Sequence, residues 1–203
     1  MNFGLKIKSY KMKIAILGWG SLIWQPKDLV FDEENGWKEN GPILPIEFAR
    51  ISKDGRLTLV ISENGTKVPV LYALSNYQNL EEAVLNLAVR EGSGRKSIGS
   101  YDKTKDKFSS DVFFEQNILD WIKNEDIDAV IWTNLGENWN IKNNNGEIIR
   151  QIQPNNRIEY LKELKGNTSV LAEEYIRRTP PQIQTHFRKL IEEELNWTPI
   201  QNE

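Results

Sequence analysis

Lys13-Ile14-Ala15-Ile16-Leu17-Gly18-Trp19-Gly20-Ser21-Leu22-Ile23-Trp24 is the stretch on which the fold turns. Four consecutive apolar residues, Ile14, Ala15, Ile16 and Leu17, leave no polar face, the pattern of a short strand buried on both sides. Gly18 and Gly20 then bracket Trp19 and end the strand abruptly. Glycines so placed let the chain turn sharply and bare successive backbone N–H groups, a nest that cradles a carboxylate or an oxyanion. The same spacing also serves as a plain strand-ending turn. It is not a Walker loop, because no Gly-Lys-Ser/Thr follows, and the third glycine of a dinucleotide fingerprint is missing. Gly18, Trp19, Gly20, Ser21 and Leu22 are thus the first candidate binding residues, while Trp19, Ile23 and Trp24 equally suit a core.

Upstream, residues 1–12 carry Lys6, Lys8 and Lys11 without an apolar period and read as a leader, with a second Met at position 12. Downstream, three strand-like segments at 44–52, 56–62 and 67–74 are divided by Lys53-Asp54-Gly55 and Glu63-Asn64-Gly65-Thr66. Asp-Gly and Asn-Gly supply the positive φ of hairpin turns, which predicts an antiparallel meander. A helix follows at 79–91, with Leu80, Ala83, Val84, Leu87 and Ala88 on one face and Asn79 with Glu82 as capping pair. A second is expected at 110–124, then a buried strand at 128–133, a polar loop at 138–146 and helices at 155–165, 169–178 and 180–195. The last of these takes Thr179 as cap and Pro180 as first residue. The order predicts an α+β domain with a mixed, mostly antiparallel β-barrel or sheet and flanking helices over 13–135. Residues 136–203 form a loop and helical C-terminal extension packed on the same domain.

The chain has 203 residues, 39% hydrophobic and 27% charged, enough for one domain with a sizeable core. With 26 Lys+Arg against 29 Asp+Glu the net charge is −3, so no basic field invites nucleic acid. No apolar run approaches the roughly 20 residues that cross a bilayer, and no signal-peptide pattern opens the chain, which predicts a cytoplasmic protein without membrane association. A homodimer stays open. There is no Cys and a single His, which excludes disulfides, thiolate metal sites and cysteine nucleophiles. His186 lies in a polar stretch and reads as a surface residue. Any chemistry here falls to a carboxylate, a tyrosine or a lysine, with no metal and no cofactor expected.

Arg90-Glu91-Gly92, at the end of the first helix, is the second constellation. A glutamate in a last turn is unfavourable against the helix dipole. Either it pairs with Arg90, Arg95 or Lys96, or the helix delivers it into a pocket where burial raises its pKa towards neutrality, as suits a base that must return its proton. Glu47 and Arg50, three apart in one predicted strand, lie on opposite faces, so one points inward, towards an internal ion pair or a substrate; Arg50 is carried as a candidate substrate contact. Trp121 and Trp132 read as core and Trp139 as a pocket lid, and Arg177-Arg178 as complements to a helix dipole.

Together the strand and loop Ile14 to Trp24, with Pro26 after it, resemble the YGSL-type signature of the γ-glutamylcyclotransferase-like superfamily, nearest its ChaC-like, glutathione-degrading branch. The helix closing in Arg90-Glu91 is similar to the place where that superfamily keeps its catalytic glutamate, and Gly99-Ser100-Tyr101-Asp102 looks like its Gly-Gly-Tyr segment. The resemblance covers about 13–135. It implies a γ-glutamyl small-molecule substrate whose own α-amine attacks the γ-carbonyl, releasing 5-oxoproline and a free amine. It also implies Glu91 as acid/base, the Gly18–Leu22 amides around the substrate's carboxylate or carbonyl oxygen, and Tyr101 as a phenol contact. Trp19 stands where the superfamily has Tyr, and the segment 92–98 is long, so Tyr101 is free to point elsewhere and Arg95 and Lys96 to reach a second substrate carboxylate. The rival readings are a non-catalytic module sensing an acidic metabolite, an interaction protein docking through its helical tail, and a γ-glutamylamine hydrolase or amide transferase.

Overall fold

The computed structural model describes residues 11–200. Its strands are β1 (Ile14–Gly18), β2 (Ile43–Ile51), β3 (Leu57–Ile61), β4 (Thr66–Pro69), β5 (Leu71–Leu74), β6 (Ile98–Asp102), β7 (Lys107–Phe108), β8 (Ala129–Thr133), β9 (Asn140–Lys142) and β10 (Ile148–Gln151). Its helices are α1 (Leu80–Arg90), α2 (Glu115–Ile122), α3 (Arg157–Glu163), α4 (Gly166–Arg178) and α5 (His186–Leu195). The fold is α+β with mixed sheets. Among the described residues no sheet closes on itself, so the barrel half of the expectation gives way to open sheets of five, three and two strands.

The five-stranded sheet runs β5-β1-β8-β6-β7. β1 pairs parallel with β8 and antiparallel with β5, and the other pairings are antiparallel. Both faces of β1 are covered, as its unbroken apolar run requires. Ile14 and Ile16 join Ala129, Ile131 and Ile98 against Ala83, Leu87 and Ala88 of α1. Ala15 and Leu17, with Val130 and Trp132, look the other way into a larger core shared with β2, β3, β4 and residues of α2 to α5. The period-two alternation of one strand thus divides the molecule into two apolar layers. The helices of the C-terminal extension place Ala172, Tyr175, Ile176 and Ile191 in that larger core.

The expected meander is replaced by a different arrangement. β3 pairs with β2 from Ile46 to Ile51 across the Asp54-Gly55 turn, but β4 also pairs with β2, from Ile43 to Ile46, giving the order β3-β2-β4. The segment read as one strand at 67–74 breaks after Pro69, which has no N–H to continue a ladder, and β5 crosses to the first sheet. Gly99-Ser100 conceals a real strand, β6, and the polar run read as a loop turns at 143–146 between β9 and β10. α2 is shorter than expected, beginning at Glu115 rather than near 110. α5 begins at His186, not at Pro180: Thr185 is its N-cap, its hydroxyl accepting from Arg188 N–H at 3.1 Å. His186 is exposed, as expected. Of the leader expected at 1–12, positions 1–10 lie outside the described residues; Met12 packs against the α1 layer. No described helix is long and apolar enough to cross a membrane.

Candidate functional site

A cleft of about 720 Å³ opens where β1 ends; four segments supply most of its wall, and Gln25, Lys27, Ser97, Thr133 and Leu135 add to it. The four are the glycine loop Gly18–Leu22, the end of α1 with Glu91 to Gly94, the β2–β3 hairpin from Arg50 to Val60, and Tyr175 from α4. Ligands commonly sit beyond the carboxyl end of a strand where neighbouring chain diverges, and β1 is such a strand.

The loop is held by short turns, Ile23 N–H donating to Gly20 C=O at 3.0 Å and Gln25 N–H to Ser21 C=O at 2.9 Å. The N–H groups of Gly20, Ser21 and Leu22 meet no acceptor among the described residues. All three residues line the cleft, so N–H groups without an acceptor here suit an anion nest. Trp19 turns inward, buried, its indole N–H reaching Leu59 C=O at 3.4 Å, and Leu22 packs into the α1 layer. Gly20 is required by contact: a Cβ there would lie 2.5 Å from the Tyr175 hydroxyl oxygen. Gly20→Ala is expected to displace that hydroxyl or the loop at a cost of about 1–3 kcal/mol, the usual range for overpacking, read as a lower urea midpoint with unchanged slope.

Glu91 reaches the cleft through a helix end made for it. Gly92 takes φ +59° and the chain closes with Gly92 N–H to Val89 C=O and Ser93 N–H to Ala88 C=O, each 3.0 Å. This is the Schellman ending, which suits glycine because only it adopts positive φ freely. Glu91 is the C-cap residue that follows Arg90, its backbone still in the helical region and its side chain 15% exposed. Of the three partners weighed for it, Arg90 is the one found: its Nη1 donates to Glu91 Oε1 at 2.5 Å. The Nη2 of the same guanidinium donates to Gln25 C=O at 2.7 Å and to Ser21 Oγ at 3.3 Å. Arg90, itself buried, therefore ties the helix end to the glycine loop and fixes the carboxylate relative to the nest.

Arg50 lies on the opposite wall. A register shift between Phe48 and Arg50 re-aims the strand there. Glu47 goes into the core while Arg50 lines the cleft, donating from Nη1 to Gly136 C=O at 2.7 Å. Burial lowers its pKa, and no carboxylate among the described residues pairs with it. Lys27, Lys53, Arg56 and Arg90 line the same cleft with Asp54 and Glu91, so cations outnumber acids in a chain whose net charge is −3. An excess of this sign favours an anionic ligand.

Tyr101 does not belong to this site. It is buried in the large core against Phe108, its hydroxyl donating to Asp106 Oδ1 at 2.8 Å, and burial pushes its phenol up to about 12. β6 points it away from the cleft. Arg95 and Lys96 are exposed, Arg95 lying 3.8 Å from Glu81 Oε2, and neither lines the cleft. Trp139 is no lid: it stacks with Arg157, 4.9 Å from its ring centre, and donates to Glu137 at 3.0 Å. Trp132 is fully buried, as expected, and Trp121 packs edge-on against Tyr72. Arg177 and Arg178 pair with Glu173 and Glu174 one turn back.

Sequence reasoning missed Tyr175, Arg56, Thr58 and the basic hairpin as site residues. Only Asp54-Gly55 gave a signal, as a turn. Among the described residues no group of three or more His, Asp and Glu side chains is placed to hold a metal ion. No protein-family model, no curated protein and no solved structure matches this chain.

Proposed function

We propose that the cleft binds a γ-glutamyl compound and releases 5-oxoproline and a free amine, with Glu91 moving the proton. The observation that carries this reading is the convergence of the unengaged N–H groups of the glycine loop and the Glu91 carboxylate on one electropositive cleft. The reaction asks little else of a protein. The substrate's α-ammonium gives a proton to Glu91, and the freed amine forms a C–N bond to the γ-carbonyl carbon. The carbonyl oxygen takes up negative charge against backbone donors, Glu91 returns its proton to the leaving nitrogen as that bond breaks, and the ring nitrogen sheds its one extra proton by the same carboxylate to the released amine, which departs as ammonium. No water is consumed. Arg90 holds Glu91 in place, and Arg50 and Arg56 face the substrate's negative groups. The resemblance of Gly18-Trp19-Gly20-Ser21-Leu22 and Arg90-Glu91 to the γ-glutamylcyclotransferase-like superfamily supports the same reading, as does the absence of Cys.

The test is mass spectrometry of wild-type protein with γ-glutamyl peptides, amino acids and polyamines in oxygen-labelled water. Unlabelled 5-oxoproline, equimolar with amine, is the expected result. Labelled glutamate would replace the reading with hydrolysis. One observation favours a second reading: Glu91 Oε1 is already engaged by Arg90 at 2.5 Å, as suits a ligand-sensing site that moves no proton. Thermal stabilisation by γ-glutamyl ligands without any product would select that module.

A further inference from the structure

We infer that Tyr175, carried into the cleft by α4 of the C-terminal extension, is a hydrogen-bond donor of the site, giving its phenol proton to the ligand oxygen seated over the Gly18–Leu22 loop. The inference rests on the γ-glutamyl reading for the identity of that oxygen, and on geometry for the rest.

Tyr175 is buried, with 6% exposure, yet it lines the cleft. Its oxygen sits over Gly20, so close that the missing Cβ is what admits it. That oxygen already accepts one hydrogen bond, from Leu59 N–H at 3.3 Å, which leaves its proton to be given away. No carbonyl or carboxylate among the described residues takes it. A buried hydroxyl normally finds an acceptor, and the cleft is the side where one can arrive. The ring cannot swing elsewhere. Trp24 packs against it edge-on with centroids 5.4 Å apart, and the Arg56 guanidinium lies 5.6 Å over its face. Burial also pushes the phenol up to about 12, with Leu59 N–H acting the other way, so the group stays protonated at neutral pH.

A fixed, desolvated donor beside three free backbone N–H groups is suited to charge that develops on an oxygen. In the proposed cyclisation that oxygen is the γ-carbonyl oxygen as the amine adds to its carbon. The phenol keeps its proton throughout and forms no covalent bond. The helical extension is then part of the site, and its helices do more than cover the larger core.

Two variants test this beside wild type, Tyr175→Phe and Tyr175→3,5-difluorotyrosine, the latter nearly isosteric but more acidic. For 5-oxoproline release, Tyr175→Phe is expected to lower kcat about 100-fold with KM changed less than about threefold. The fluorinated protein is expected to lose activity, relative to its own plateau at mildly acidic pH, as its phenol ionises towards alkaline pH, a limb absent from wild type. A role confined to holding Leu59 would not produce that limb. Retention of kcat by Tyr175→Phe to within about threefold, or a fluorinated profile superimposable on wild type, overturns the inference. If wild type makes no 5-oxoproline, the γ-glutamyl reaction falls, and calorimetry with 5-oxoproline and with glutamate reads the donor directly. Binding about tenfold weaker in Tyr175→Phe sustains it, since a donor to a charged group is worth that much; equal binding, or none by wild type, overturns it.

Discussion

Replacement of Glu91 by glutamine is expected to lower kcat for 5-oxoproline release about a thousandfold, some 4 kcal/mol in the barrier, while leaving the fold intact. Glutamine keeps the length of the side chain and an oxygen that still accepts from Arg90 Nη1, so the tie between the helix end and the glycine loop persists. What it loses is the ability to take a proton from the α-ammonium and deliver it to the leaving nitrogen. Glu91→Asp separates proton transfer from placement. It retains the chemistry but draws the carboxylate back by about one methylene, and misplacement near 1 Å costs about a hundredfold. Rates from quenched-flow or coupled product assays, with urea midpoints for all three proteins, check both. A Glu91→Gln protein with more than about a tenth of wild-type kcat removes Glu91 from the mechanism and returns the site to ligand sensing.

Much of this site was legible in the sequence because its parts are local. An unbroken apolar run ending in Gly18-Trp19-Gly20 announces a doubly covered strand and a loop, and both are there. α1 carries its own signals: the Asn79 side chain accepts from Glu81 and Glu82 N–H at 2.9 and 3.2 Å, and Gly92 ends it. Glu91 follows by position. Arg50 reached the cleft wall through a register shift that no alternation pattern discloses. Tyr175 meets Leu59 across 116 residues of chain, and nothing near it in sequence distinguishes it from a core tyrosine. Tyr101 looked better placed because it follows Glu91 closely, but strand alternation in β6 turns it into the core. The topology failed where one residue decides it: Pro69 splits a segment of continuous strand character and sends its halves to different sheets.

Glu47 was read from its spacing as lying on the strand face opposite Arg50, one of the two pointing inward, and its surroundings make the second large prediction. Glu47 is 4% exposed and has no ion-pair partner within contact distance among the described residues. Its carboxylate is instead a hub of hydrogen bonds. Oε1 accepts from Thr185 Oγ1 at 2.6 Å and from Phe48 N–H at 2.9 Å, and Oε2 receives the longer contacts of Thr66 Oγ1 and Phe187 N–H, each 3.4 Å. Thr185 caps α5, and Phe187 N–H belongs to its first turn, so the charge also meets the positive end of a helix. The buried Arg157, whose guanidinium stacks 3.4 Å from the Phe187 ring centre, supplies a compensating charge nearby. Glu47→Ala therefore strips acceptors from four donors, loosens α5 from β2 and takes from Arg157 one of the two carboxylates, Glu137 being the other, that favour its charge. The expected loss is about 3–5 kcal/mol, the range for removing one side of a buried charged network. Glu47→Gln keeps the Thr185 and Phe48 bonds on one oxygen but turns an amide N–H₂ towards Phe187 N–H, donor against donor, and should fall between wild type and Ala. Urea unfolding gives the midpoints. A Glu47→Ala protein within about 1 kcal/mol of wild type means water or a shifted hydroxyl satisfies those donors, and α5 is then held by its apolar face, the His186 N–H bond to Thr66 Oγ1 and the Lys162–Glu194 ion pair without need of the Glu47 charge.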